Sequence, residues 1–474
     1  MSRRIVQMSR PFGRRILRIV DEHQYLSETT RWVRPGTYTG GEIWALSPSY
    51  EDVQYAISQA QPGDVVRVPA GFAIWDRQFR INKPILLIGA GIGQTIIQNA
   101  YVATGTASND TASCFIYYNP GVPDANHVFR LSGFTLDCDN KASGVFVYHS
   151  TSVGNEVMRN FRIDHNRVIN SYGSQGLNQG KMFGIYGHVV GSIDNNIGEN
   201  IGGIASVLGK NAATWTHLTY NFGQADQLFI EDNVITGDLW YIVGSTGASA
   251  RTCVRYNTAN STTSRYVGYF DIHGNQTPPY SNHAGMGSEV YGNVWNAGAA
   301  TGGRFGAFRA GRNLVYDNRI ETPGSAYQGG PSFQEEYIDS TVTPYENLID
   351  GQPQHVSDCY NWNNLRKGTL VTGSLITLDY SDPMVSYYDP ALAHKGVVPR
   401  WDVHVWRQVG GFDGSTGMGR GPLSSRPASC TLEGAGYWAT DEGRLYRWKS
   451  GAWELFYTPY AYPHPYRSHP VLGD

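Results

Sequence analysis

SEVYGNVWNAGAATGGRFGAFRAGRNLVYDNRI (288–320) holds two copies of one pattern: a β-branched residue, two variable residues, an Asn, and an apolar residue two places later. The copies here are Val290-Asn293-Trp295 and Val315-Asn318-Ile320. Outward along the chain the pattern recurs as Ile272-Asn275, Val254-Asn257, Ile230-Asn233-Ile235, Ile193-Asn196 and Ile163-Asn166-Val168. From Asn233 onward the successive Asn residues fall 24, 18, 18 and 25 positions apart, a step that suits one coil of a solenoid with loops of variable length. Asn tolerates the left-handed backbone of a sharp turn, and its amide can bond the Asn of the next coil, so the repeated Asn reads as a structural ladder rather than as catalytic machinery. A solenoid also reconciles 474 residues with a single fold, because each coil buries itself only against its neighbours.

Upstream of the repeats, Ser49 and Asp52 form a helix-capping pair, and Val53, Ala56, Ile57 and Ala60 keep helical spacing until Pro62-Gly63 ends the segment. Short β-branched runs cut by Gly and Pro follow, at 64–71, 79–91 and 95–98. The succession DVQYAISQAQPGD (52–64), VVRVPAG (65–71) and INKPILLIGAG (81–91) resembles the N-terminal cap and first coils of the pectate-lyase-like right-handed parallel β-helix proteins. That superfamily includes polysaccharide lyases, glycoside hydrolases and phage tailspikes. The resemblance implies an all-β solenoid with an N-terminal capping helix and a carbohydrate ligand; it does not choose a reaction.

Three segments are expected. Residues 1–46 read as a basic, irregular arm carrying Arg3, Arg4, Arg10, Arg14, Arg15 and Arg18, either solvated or docked to a homo-oligomer or virion. Residues 47–365 read as the parallel β-helix. In 366–474 an irregular stretch leads to Tyr437–Pro465, whose aromatic alternation around Lys449-Ser450-Gly451 predicts a β-hairpin capping the C-terminal end.

Composition narrows the function classes. With 41% hydrophobic, 16% charged, 56 Gly and 23 Pro residues the chain is β-rich and turn-rich. Its net charge of −3 gives no field directed at nucleic acid or an anionic membrane, and no apolar stretch reaches transmembrane or signal-peptide length. The expected location is extracellular or virion-associated. Basic residues are mostly Arg, whose planar fork suits carboxylate and sulfate, although an Arg-rich proteome gives the same bias. Five Cys residues (Cys114, Cys138, Cys253, Cys359, Cys430) are scattered without disulfide or zinc spacing.

Strand alternation predicts the site. If Ile230, Val254, Ile272 and Val290 point inward, one outward column holds Glu231, Arg255, His273, Tyr291 and Tyr316, and its neighbour holds Phe229, Cys253, Asp271 and Glu289. Arg255 would neutralise a uronic-acid carboxylate while His273 or Tyr291 moves the ring proton and Glu289 and Asp271 tune them, which is β-elimination by a polysaccharide lyase. Stacked polar residues that satisfy one another on a solvated sheet account for the same column. Glu231, Arg304, Arg309, Trp240 and Tyr269 are expected to bind substrate, the two Arg as an anionic subsite and the rings by stacking. Trp215, Trp295, Tyr241 and Tyr266 are further stacking candidates; His188, Lys181 and His283 are further polar ones. Paired carboxylates, Asp271 with Glu289 or Glu335 with Glu336 and Asp339, offer hydrolysis instead. Asp271, Glu289 and Glu231 offer oxygen ligands to calcium, the one cofactor to be considered, though no compact loop marks a site. A tailspike, fibre or decoration protein that binds glycan without catalysis is the competing expectation.

Overall fold

A computed structural model of the chain describes residues 7–9, 15–18, 41–102, 114–121, 128–148, 157–171, 180–208, 222–239, 241–246, 250–262, 266–272, 285–296, 298, 302–321, 328–334, 348–349, 352–353, 355–376, 399–469 and 473. They fall into two compact units. One comprises Met1–Ala205, Asp232–Asp238 and Tyr462–Asp474; the other comprises Ser206–Glu231 and Leu239–Ala461.

In the first unit the helix forms where the spacing predicts. The Ser49 hydroxyl accepts the Asp52 amide hydrogen, the helix runs Tyr50–Gln59, and its buried face is Val53, Ala56 and Ile57. Tyr50 meets the Trp75 and Phe79 rings edge-on. The chain then visits three parallel sheets in rotation. Phe129–Ser132, Phe134–Asp137 and Ser143–Tyr148 make one coil, and Met158–Asp164, Arg167–Ile169 and Lys181–Tyr186 the next. The register is in phase: Leu131 pairs with Ile163 and Ile163 with Ile193, so apolar residues stack inside the coil. The fold is a right-handed parallel β-helix, the hand that parallel crossovers take. Gln7–Ser9 and Arg15–Arg18, in the arm expected to be irregular, pair antiparallel, and Arg15–Arg18 runs parallel to Glu42–Trp44.

The Asn ladder is real and wholly buried. Asn166 donates to the Asn196 side-chain oxygen and Asn196 to that of Asn233, at 3.1 and 3.0 Å. Each amide also reaches backbone carbonyls on two coils, as Asn196 does with Ile163 and Asp194. The residue before each rung takes the left-handed turn: φ is 51° at His165, 54° at Asn195 and 55° at Asp232. Asn, Asp and His tolerate that region, which explains the composition of the turn.

In the second unit the ladder is Asn257, Asn293, Asn318 and Asn364. Asn257 bonds directly to Asn293, 36 residues on, so these two rungs are one coil apart; Asn275, expected between them, lies outside the described residues. Ile272 closes a third-sheet strand, Tyr266–Ile272, that pairs with Tyr241–Thr246 and Gly302–Phe308. Parallel pairing on the first sheet continues past residue 365, to Val405–Arg407 against Cys359–Trp362. The predicted hairpin is Arg444–Lys449 with Ala452–Tyr457, turning at Ser450-Gly451, and Gly436–Ala439 and Met418–Gly421 extend it to four strands.

Candidate functional site

The first sheet of the second unit carries the predicted columns, less Asp271, which lies on the third sheet, and His273, which lies outside the described residues. Glu231, Arg255, Tyr291 and Tyr316 pair in register, and Trp362 continues the row. Beside them run Phe229, Cys253, Glu289, Leu314 and Tyr360. Ile230, Val254, Val290 and Val315 lie between the two columns and face the interior.

What lies over this row is the finding that sequence did not anticipate. The four-stranded C-terminal sheet packs on it, and Tyr291, Tyr316, Tyr360 and Trp362 share one buried cluster with Met418, Trp438, Leu445 and Tyr457. Rings stack through the cluster, Tyr316 on Trp362 at 4.2 Å and Trp362 near Trp438 at 5.0 Å. The outward row expected to meet substrate is therefore the inside of a tertiary contact. The hairpin, expected at the end of the coil stack, lies along this outward face.

Arg255 shows what the contact does. It is fully buried, and its guanidinium makes five polar contacts with four acceptor atoms supplied by the chain itself. Nε and Nη2 meet Glu231 at 2.7 and 2.6 Å, Nη1 donates to the Tyr291 hydroxyl and the Tyr460 carbonyl, and Nη2 donates to the Ala461 carbonyl. Its face lies 4.9 Å from the Phe229 ring centre. Burial works against the guanidinium charge, but Cys253, Tyr291 and Glu231 around it raise its pKa overall. Glu289, also fully buried, accepts from the Gly223 amide, Gln227 and the Tyr457 hydroxyl at 2.7, 2.8 and 2.8 Å, and Tyr457 in turn bonds Tyr316 at 2.9 Å. Burial raises the Glu289 pKa despite these donors. Burial also raises the Tyr291 hydroxyl well above the ordinary tyrosine value.

The other predicted residues lie elsewhere. Asp271 is on the third sheet, ion-paired with Arg309, so it joins neither Glu289 as an acid–base pair nor the Arg255 row. Its separation from Glu289 and Glu231, each with partners of its own, divides the oxygen atoms considered for calcium. Among the described residues no three His, Cys, Asp or Glu side chains converge as a metal cage. Tyr269 and Arg304 belong to third-sheet strands, Tyr266–Ile272 and Gly302–Phe308. His273, Trp215, Trp240, His283, Glu335, Glu336 and Asp339 lie outside the described residues. Trp295 is core; His188 and Lys181 are buried, Lys181 donating to the Gly202 carbonyl.

The first unit holds a second charged row, at the same sheet position, that sequence reading missed. Arg130 grips Asp164 with Nε and Nη2 at 2.8 and 2.5 Å, and Arg162 grips Asp194 at 3.0 and 2.7 Å. His165 Nδ1 meets Asp164 at 2.8 Å. Burial works to raise the Asp164 pKa, yet Arg130 and His165 carry it below the usual carboxylate value. The C-terminal residues close over this row: Arg467 contacts Asp194 at 3.7 Å and ion-pairs with Asp232, Tyr462 donates to Asp232 at 2.8 Å, and Arg130 donates to the Gly473 carbonyl. RIDHN (162–166), SIDNN (192–196) and FIEDN (229–233) share the outward–inward–outward–turn–Asn order of CVRYN (253–257) and would have shown the row. DIHGN (271–275) has the same order in sequence, but its first two residues, Asp271 and Ile272, belong to the third sheet.

No family model and no curated protein matches the chain. Among solved structures it is similar to the A-module of Azotobacter vinelandii mannuronan C-5 epimerase AlgE6, at 15% identity and TM-score 0.38 over 69% of this chain and 84% of that one. It is similar to an alginate lyase from Paenibacillus sp. str. FPU-7, at 10% identity and TM-score 0.35 over 71% and 99%. It is also similar to tailspike protein 3 of bacteriophage CBA120, at 12% identity and TM-score 0.30 over 86% and 66%. Likenesses this distant assign no activity to the chain.

Proposed function

We propose that this chain is a glycan-binding β-helix protein, extracellular or virion-associated, whose Arg255 row serves tertiary assembly rather than turnover. The observation that supports the reading is the saturation of Arg255: Glu231, Tyr291 and the Tyr460 and Ala461 carbonyls occupy all its donors. Releasing it for a uronate would strip a buried charge of its partners, which costs several kcal/mol. The carbohydrate part of the reading rests on the resemblance of residues 52–91 to the pectate-lyase-like proteins.

A second reading, β-elimination on an acidic polysaccharide, keeps one observation in its favour: Arg255, Tyr291 and Glu289 do adjoin on neighbouring strands. It requires the Tyr460–Ala461 backbone to leave Arg255. One experiment separates the readings. The full chain is incubated with alginate, polygalacturonate and hyaluronan while the ultraviolet absorbance of unsaturated uronate is followed, and binding is measured in parallel by affinity electrophoresis. Retardation without absorbance is expected. Absorbance that disappears in Arg255→Lys would establish the lyase, and absence of both signals with all glycans would remove the glycan reading.

A further inference from the structure

Tyr462 is an exposed aromatic residue that the protein nonetheless holds in place. It is 47% exposed, yet its hydroxyl donates to Asp232 at 2.8 Å. The second Asp232 oxygen takes the Arg467 guanidinium, which lies 6.0 Å from the Tyr462 ring centre and also contacts the buried Asp194. Asp232 itself is fixed by its left-handed turn, one residue before the ladder rung Asn233. A chain that only needed to anchor its C-terminal segment could do so with Arg467 alone. Immobilising an exposed ring removes in advance the rotamer entropy that a ligand would otherwise have to remove on binding.

The surroundings indicate the kind of ligand. Asp232, Asn195 and His165 each precede a rung of the ladder, so these turn residues succeed one another coil by coil, about 4.8 Å apart. His165 is 44% exposed at its side chain and Asn195 is half-buried. An aromatic ring beside a line of hydrogen-bonding groups matches a pyranose chain, whose C–H face packs on a ring while its hydroxyls seek donors and acceptors.

We propose that Tyr462, held by Asp232 and Arg467, is a stacking platform for one pyranose ring of a polysaccharide. This rests on the glycan-binding reading above. Binding to alginate, polygalacturonate and dextran is measured by affinity electrophoresis for the wild type, Tyr462→Ala, Tyr462→Phe and Tyr462→Trp, with a melting curve for each. Whichever glycan the wild type retains, Tyr462→Ala is expected to bind it about tenfold more weakly, while Phe and Trp, which keep a ring but lose its tether to Asp232, fall between Ala and the wild type. A Tyr462→Ala protein that melts lower but binds as the wild type does would reduce the residue to an anchor and overturn the platform. Equal losses in Ala, Phe and Trp would overturn it too, because the hydroxyl and not the ring would then matter. A wild type retained by no glycan fails at the earlier step, and both readings fall with it.

Discussion

Glu289 accepts hydrogen bonds from the Gly223 amide, Gln227 and the Tyr457 hydroxyl, and burial pushes its carboxyl above the ordinary glutamate range. A carboxyl whose folded pKa exceeds its unfolded one stabilises the fold fully below the unfolded value, and that contribution is lost as pH rises through the folded value. Glu289→Gln retains an oxygen for Gly223 and Gln227 and turns its amide toward the Tyr457 hydroxyl, which can accept. The melting temperature of Glu289→Gln relative to wild type is therefore expected to become more favourable as pH is raised from about 4 to 7, Glu having its ordinary pKa near 4.3. A constant difference across that range would mean that Glu289 titrates normally. The residue's chemistry was legible in EVYGN (289–293), since alternation placed it beside Arg255; its burial was not, because the covering segments, residues 222–227 and the C-terminal sheet, are far away in sequence.

A ladder rung carries more than its own pair of bonds. Asn196 donates to the Ile163 and Asp194 carbonyls and to Asn233, and its oxygen receives both the backbone and side-chain N–H of Asn166. Asn196→Ala strands these groups in a buried turn, at about 1–3 kcal/mol for each one left unsatisfied. Chemical denaturation is expected to show a loss of at least about 3 kcal/mol. Asn296, whose amide donates to the Asn260 side-chain oxygen at a half-buried site, is the contrast: its Ala variant should lose under about 1 kcal/mol, as a water-exchangeable bond does. Similar losses at the two positions would deny the ladder its special weight. The rungs could be read from sequence wherever a turn followed a first-sheet strand. The repeat at Ile272 misled because local pattern fixes strand alternation and turn chemistry but not which sheet a strand joins: Ile272 closes a third-sheet strand, while Asn257 bonds directly to Asn293.

At the scale of the whole molecule, the last part of the chain returns to the outward face of the first sheet. In the second unit Trp438, Leu445 and Tyr457 complete a buried cluster with Tyr291, Tyr316, Tyr360 and Trp362. In the first unit Tyr462 and Arg467 engage Asp232. Truncation before residue 430 removes both. At about 1.5–3 kcal/mol for each large apolar side chain returned to water, the truncated protein is expected to melt well below the full chain and to aggregate through its uncovered rings. A truncated chain that stays soluble with an unchanged melting temperature would make the segment a detachable module.

The sequence by itself determined the β-helix, because each coil writes its own rules locally: alternation sets inward and outward residues, and a left-handed turn followed by Asn closes the first-sheet strands from Met158–Asp164 to Cys359–Trp362. It also determined that Glu231, Arg255, Tyr291 and Tyr316 share a column. Only the tertiary structure decided that this column is covered and that Asp271 stands apart from it. Both depend on contacts between residues distant along the chain, such as Arg255 with Tyr460 and Ala461, about two hundred residues on. No periodicity records such contacts, because the covering segment needs only matching shape, carbonyls and rings at the place where it lands.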